Sequence, residues 1–304
     1  NQLALLLDGG DRHVLQTKLE SDGRFVWLKR HLTPWEQTQV NALGAPGLDF
    51  SVEHRRVYTH GPLLAHVLGY VKMEHKGLAG IENTFDEDLL RNPGRPLILS
   101  IDIRFQHVMR AELNRALSDH RAVGAAGIIL DVKTGGLRAM VSLPDFDPNN
   151  EIDPEKHADA TFNRASLGRY EMGSTFKSFT LAMALDSGVV TLRDEFDATK
   201  PLKVGNTTIR DYHAQSRWLS VPEIFVHSSN IGAARIALAV GGPQQKKFLG
   251  RIGLLDEINF DLPEISKPGY PKIWRKINTA TISYGHGISV SPIHLAASVA
   301  ALVN

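Results

Sequence analysis

The stretch Tyr170-Glu171-Met172-Gly173-Ser174-Thr175-Phe176-Lys177 constrains this chain more than any other. It sets a serine directly after a glycine, with a lysine three residues on, at the head of an apolar-periodic run: Phe176, Phe179, Thr180, Met183 and Ala184. That period predicts a helix reaching about Asp186, with Gly188 as its stop. Residues three apart share a helix face, so the Ser174 hydroxyl and the Lys177 amine are within reach of each other. Serine is a poor nucleophile at neutral pH and needs an adjacent base; a lysine serves when its surroundings depress its pKa. The helix N-terminus would also turn backbone N–H groups toward any oxyanion formed at Ser174. On spacing alone the plainer reading, a capping serine beside a solvated lysine, is favoured. The rest of the chain has to decide.

At 304 residues the chain is long for one core, which suggests two units. A net charge of +1 argues against a strongly electrostatic mode of nucleic-acid binding. The absence of cysteine excludes a disulfide framework and a zinc-thiolate site. No apolar run reaches the roughly 18 residues that a membrane span needs.

Residues 1 to 50 carry short elements between turn signals. Arg24 to Leu28 alternates like a strand, and Thr33-Pro34-Trp35-Glu36 combines a capping box with proline at the first helical position. This reads as a supporting domain. From Glu53 to Asp86 basic residues and histidines gather (His54, Arg55, Arg56, His60, His66, Lys72, His75, Lys76). Their spacings do not repeat as ligand pairs, so a solvated or interface-lining segment is expected. Pro93, Gly94 and Pro96 form a hinge, which places a domain boundary between 96 and 97. Asp102 then caps a helix whose apolar stripe is Phe105, Met109, Leu113, Ala116 and Leu117.

Two apolar runs, 125 to 132 and 137 to 143, separated by Lys133-Thr134-Gly135-Gly136, predict a β-hairpin. A second hairpin is expected over 203 to 209 around Gly205-Asn206. Ser220 and Glu223 form another capping box, with Pro222 in the first turn. That helix meets Ser228-Ser229-Asn230, and an apolar, alanine-rich helix follows from Ile231 to Val240, stopped by Gly241-Gly242. Capping alone would explain Ser229 or Asn230. The glycine-punctuated Ser283 to Gly287 leads to a last helix starting at Ser291 or Pro292.

Ser174-x-x-Lys177 and Ser228-x-Asn230, in this order and each at a helix terminus, match the first two of three motifs of the penicillin-binding protein and serine β-lactamase superfamily. Their joint occurrence is far rarer by chance than either alone. Segments 100–102, 131–149, 170–177, 228–232 and 285–296 all resemble class B penicillin-binding proteins. Asn230 favours the cell-division type, since the elongation type usually has aspartate there. Arg55-Arg56-Val57-Tyr58 and Gly77 to Glu82 resemble that class's non-catalytic pedestal, so the likeness covers most of residues 53 to 304. The resemblance implies an α+β fold. Residues 97–304 would be a transpeptidase domain lacking its C-terminal part, an antiparallel sheet flanked by helices. Residues 1–96 would be a partial N-terminal pedestal domain.

Three departures stand out. Met172 replaces the family's usual proline, and the linker from Phe85 to Ser100 is short. The third motif, Lys-[Ser/Thr]-Gly on a sheet-edge strand, is expected beyond Asn304. Lys133-Thr134-Gly135 looks like that motif but precedes the nucleophile and sits at a hairpin turn, so it is a decoy.

By resemblance the protein is a peptidoglycan D,D-transpeptidase of septal wall synthesis and a β-lactam target. Ser174 is then the nucleophile, Lys177 the general base and Ser228 a proton relay, while Asn230 orients Lys177 and binds substrate. The implied partners are peptidoglycan stem peptides, β-lactam antibiotics, and membrane-embedded division and glycosyltransferase proteins, with no nucleic acid. No metal or organic cofactor is implied. The implied location is the inner membrane, through an N-terminal anchor absent from this chain, with the catalytic domain in the periplasm. The competing readings are a serine β-lactamase or sensor, and a catalytically silent division scaffold.

Overall fold

The computed structural model describes residues 2–7, 11–21, 23–53, 55–72, 76–92 and 94–304. Two compact units emerge, Asn1–Val57 and Tyr58–Asn304. The first holds helices α1 (Gln2–Leu7), α2 (Arg12–Leu19) and α3 (Pro34–Ala42). The Asp11 carboxylate accepts from the His13 and Val14 N–H groups and starts α2. The expected capping box of Thr33 and Glu36 opens α3, with Pro34 at its first position. The strand expected over Arg24 to Leu28 does not form. This segment is irregular, with Phe25 and Trp27 exposed and stacked edge-on at 5.0 Å, and the Arg30 guanidinium 4.8 Å above Trp27. Alternation makes a strand only where a neighbouring strand takes up the backbone groups, and none does so among the described residues.

The second unit begins with α4 (Ala65–Leu68), α5 (Gly80–Thr84), α6 (Asp86–Arg91) and α7 (Ile103–His120). The hairpin of β1 (Ala125–Leu130) and β2 (Leu137–Leu143) follows as expected, in antiparallel register from Ala125 opposite Leu143 to Leu130 opposite Leu137. Asp102 caps α7, and of the expected stripe Met109, Leu113, Ala116 and Leu117 are half-buried while its first residue departs. Phe105 is exposed and Gln106 is the buried residue. The Gln106 amide completes Met140's backbone from both sides, donating to its carbonyl at 2.7 Å and accepting from its N–H at 2.9 Å. A buried amide so satisfied costs little, and on the same side of the helix Met109 and Leu113 close on Gly127.

Of the basic and histidine residues named over 53–86, Arg55, His60, Lys72 and Lys76 are exposed as expected and Arg56 is half-buried; His66 is buried, against expectation, and His54 and His75 lie outside the described residues. Tyr58, Ala65, His66, Val67, Tyr70 and Ile81 are buried, and Val67 and Ile81 share a core with Leu137, Met140, Ala165, Leu262 and Ile293. The segment from Tyr58 onward thus lies in the same compact unit as the hairpin, and the two units part at Val57.

The remaining elements are α8 (Ala158–Thr161), α9 (Phe176–Asp186), β3 (Glu195–Asp197), β4 (Leu202–Val204), β5 (Thr207–Ile209) and β6 (Trp218–Ser220). Then come α10 (Val221–Val226), α11 (Asn230–Val240), α12 (Gly242–Arg251), α13 (Lys276–Ile282) and α14 (Pro292–Val303). β4 and β5 make the second expected hairpin, and β3 pairs with β6. The capping box of Ser220 and Glu223 opens α10. α11 is the central helix, touching α9, α10, α12 and α13. Its Gly232 lets Ile224 of α10 approach to where a Cβ would stand 2.5 Å away. Phe176, Phe179 and Met183 of α9 are fully buried with Ala237, Phe248, Leu254 and Ile282. Burying each of those three large side chains stabilises the helix by about 2 kcal/mol. The serine turn is therefore mounted on a rigid element.

Candidate active site

Ser174 lies in a single 3-10 turn, Gly173–Thr175, that feeds directly into α9. Its hydroxyl is exposed, whereas Lys177, one turn along, is 1% exposed. The predicted meeting of the two occurs: Lys177 Nζ lies 3.1 Å from Ser174 Oγ. The same amine donates to the Ser228 carbonyl at 2.5 Å and reaches Ser228 Oγ at 2.8 Å. Ser228 Oγ in turn lies 3.1 Å from Ser174 Oγ. Two hydroxyls and one amine close a triangle, with both hydroxyls at the surface and the amine beneath them.

Burial pushes the Lys177 amine down from its ordinary 10.5 to about 8, against the pull of the Asp211 carboxylate, which raises it. Its position in the first turn of α9 acts in the same direction as burial, since the positive end of a helix disfavours a cation. A group with a pKa near 8 is neutral in roughly one molecule in ten at pH 7. A neutral Lys177 can accept a proton from the hydroxyl 3.1 Å away while still donating to the Ser228 carbonyl.

The serine turn is held from the far side by the glycine-punctuated segment. Tyr170 and Val290 exchange both backbone hydrogen bonds, at 3.0 and 3.1 Å, and the Glu171 carboxylate accepts from the Gly287 N–H at 2.8 Å. Thr180 of α9 donates to the Ser283 carbonyl. Gly285 has φ +81°, and a Cβ there would meet Gly173 O at 2.2 Å. No larger residue fits between these two backbones.

Ser228 is reached from α10, whose chain turns at this residue with φ 52°. A left-handed serine costs on the order of 1–2 kcal/mol, and it is what aims both the carbonyl and the hydroxyl at Lys177. Ser229, not Asn230, caps α11, its Oγ accepting from the Gly232 N–H. Asn230 is half-buried and donates from its side chain to the Arg210 carbonyl at 3.1 Å. The expected contact between Asn230 and Lys177 is not among the hydrogen bonds of the described residues. The Ser228 carbonyl holds the amine instead.

Sequence reasoning missed Asp211, Glu171 and the pairing of Gly285 with Gly173. Only the glycines left a signal, as unexplained punctuation. Lys133-Thr134-Gly135 occupies the hairpin turn, exposed, with the Lys133 and Thr134 N–H groups on the Asp131 carboxylate. It takes no part in the triangle.

The penicillin binding protein transpeptidase domain family matches residues 125–304. Among curated proteins, the chain is 41% identical over 276 residues to a "Probable peptidoglycan D,D-transpeptidase FtsI" of Caulobacter vibrioides, covering 90% of this chain and 46% of that protein. It is 30% identical over 300 residues to the peptidoglycan D,D-transpeptidase FtsI of Escherichia coli K12, covering 90% and 50%. The chain therefore spans about half the length of the curated relatives it matches. Among solved structures, penicillin binding protein 3 of Mycobacterium tuberculosis superposes with a TM-score of 0.72 at 22% identity, covering 81% of this chain and 58% of the other, a likeness of fold.

Proposed function

The chain belongs to the penicillin-binding protein transpeptidase family, class B and of the cell-division type, and from that premise we propose that it carries the acylating half of a peptidoglycan D,D-transpeptidase site. The observation that carries the reading is the triangle of Ser174, Lys177 and Ser228, with the amine buried and its pKa lowered. Neutral Lys177 takes the Ser174 proton as Oγ attacks the penultimate D-Ala carbonyl of a stem peptide. The oxyanion that forms lies against the Ser174 N–H at the head of α9. Ser228 passes a proton from Lys177 to the leaving amine, the C–N bond breaks, and terminal D-Ala departs. An amine from a second stem then attacks the Ser174 ester, completing a cross-link and restoring the hydroxyl. Asn230, held on the Arg210 carbonyl, is the residue for a substrate amide. β-Lactams enter as mimics of D-Ala-D-Ala and leave Ser174 acylated. The residues present need no metal or organic cofactor for these steps.

Residues 97–304 are read as the transpeptidase domain, whose third motif would come from chain beyond Asn304. Residues 1–96 are read as part of a pedestal. The placement is the inner membrane with the catalytic domain in the periplasm, beside membrane-embedded division and glycosyltransferase partners. No described helix is long and apolar enough to cross a membrane.

Full-length protein incubated with a fluorescent penicillin tests the reading. Stable labelling that disappears in Ser174→Ala supports it. Rapid release of label points to a hydrolase, and no labelling at any pH to a silent scaffold; either outcome sinks the transpeptidase reading.

A further inference from the structure

The loop between β5 and β6 begins with Arg210 and Asp211, and these two residues grip the turn that presents Ser228. Asp211 Oδ2 accepts from Ser229 Oγ at 2.8 Å, and Oδ1 accepts from the Ile231 N–H at 2.9 Å. The Arg210 carbonyl accepts from the Asn230 side chain at 3.1 Å. Residues 229, 230 and 231 are thus each tied to this loop, immediately after the left-handed Ser228. Ser228 needs such a grip, because its conformation is costly and reverts unless its neighbours are held. The carboxylate also caps the first turn of α11, where a negative charge is favoured.

We propose that Asp211 is a positioning residue of the proposed site: it locks the 228–231 turn so that the Ser228 carbonyl and hydroxyl meet the Lys177 amine, and it supplies the negative charge that acts on that amine. This rests on the reading of Ser174 and Lys177 given above. The titratable and charged groups on the surrounding elements include Glu171 before α9, Asp186 on α9, Glu223 on α10, Arg235 on α11, His227 and His286 in the flanking turns, and Arg210, Asp211 and His213 in the β5–β6 loop. Glu171 is engaged by the Gly287 N–H, and Asp211 is the one whose charge bears on Lys177 among the described residues. The two roles pull on different observables. The grip sets how well the amine and hydroxyls are aligned, hence the limiting acylation rate. The charge favours the protonated amine, hence sets the pH at which acylation switches on.

The test measures the acylation rate of the full-length protein by a fluorescent penicillin from pH 6 to 10, for wild type, Asp211→Asn and Ser229→Ala. In Asp211→Asn the plateau rate falls on the order of tenfold and the midpoint of the rise moves to lower pH. In Ser229→Ala, which loses one bond of the grip and keeps the charge, the plateau falls by a smaller factor and the midpoint stays at the wild-type value. A merely structural role would lower both plateaus and leave both midpoints alone, which overturns the proposal. So does an Asp211→Asn plateau within twofold of wild type. If Asp211→Asn does not fold, the Ser229→Ala plateau decides for the grip and an Asp211→Ser variant, which keeps a hydrogen-bond acceptor and removes the charge, decides for the midpoint: a midpoint unmoved from wild type overturns the charge role. Labelling of wild type at Ser174 with both variants unchanged sinks Asp211 alone. A wild type that is never labelled sinks the underlying reading with it.

Discussion

Two stretches of this chain put a lysine and a hydroxyl residue within a few positions of a glycine, and they have opposite fates. At Lys133-Thr134-Gly135 the side chains point to solvent, and Asp131 organises a turn by accepting from the Lys133 and Thr134 N–H groups. At Gly173-Ser174 to Lys177 the lysine lies on the apolar face of a helix that must bury Phe176, Phe179 and Met183. Burial alone makes that lysine costly. The turn after α10 makes it useful, by bringing the Ser228 carbonyl and hydroxyl to an amine that burial has partly discharged. A chemical site here is a lysine denied water and then offered partners. A lysine left in water beside a threonine remains part of a turn.

That contrast can be broken most directly at the two serine-side residues. Ser174→Ala is expected to abolish stable penicillin labelling, whereas Lys133→Ala leaves the labelling rate within twofold of wild type. Loss of labelling in Lys133→Ala with an unchanged melting temperature would erase the distinction. Lys177→Arg comes next: guanidinium stays protonated at any working pH, so acylation should fall by about a hundredfold or more. In the wild type the acylation rate should climb with pH and reach half its plateau near pH 8, because the neutral amine is the active form and its pKa is lowered to about 8. A profile flat from pH 6 to 10 would contradict the assignment of Lys177 as base.

The glycines sharpen the comparison. Gly285 and Gly135 both have positive φ, but a Cβ at Gly285 strikes the Gly173 backbone while at Gly135 nothing lies within 4 Å. Gly285→Ala should therefore cost about 3 kcal/mol, strain and overlap together, and slow labelling because the serine turn shifts. Gly135→Ala should cost about 1 kcal/mol, strain only, with labelling intact. Denaturant titration of both variants compares them. The smallest effect belongs to Asp131→Ala. The Thr134 and Lys133 N–H groups hold the Asp131 carboxyl below the usual carboxylate range. Its contribution is thus present at neutral pH, above the unfolded pKa, and is lost as pH falls through the lowered folded value. The variant should be slightly less stable than wild type at pH 7, with the gap closing in acid, as thermal melts across pH would show.

Local signals carried well wherever neighbours in the chain supply the physics. The capping boxes at Thr33 and Ser220, the two hairpins, the cap at Asp102 and the span of α9 all formed as the residue patterns indicate. They are satisfied within a few residues, so no distant segment can overrule them. Patterns that need a distant partner did worse. Arg24 to Leu28 alternates but has no strand beside it among the described residues, and in the first turn of α7 Phe105 is exposed while the polar Gln106 is buried to serve Met140 34 positions away. His66 lies in a basic, histidine-rich run yet is buried edge-on against Phe146, and burial drives its pKa down to about 4. A window of neighbouring residues contains nothing about Phe146.

The same division runs through the site. The sequence alone determined that Ser174 and Lys177 share a helix face at the start of a buried helix, because three-residue spacing and apolar period are local properties. It also determined, through the order of Ser174-x-x-Lys177 and Ser228-x-Asn230, which family the chain resembles. Only the tertiary structure decided what surrounds the amine: the Ser228 carbonyl reached through a left-handed turn, Asp211 gripping that turn, and Gly285 closing on Gly173. These contacts join residues 18 to 112 positions apart, and their energies depend on burial and backbone approach that exist only once the helices have packed.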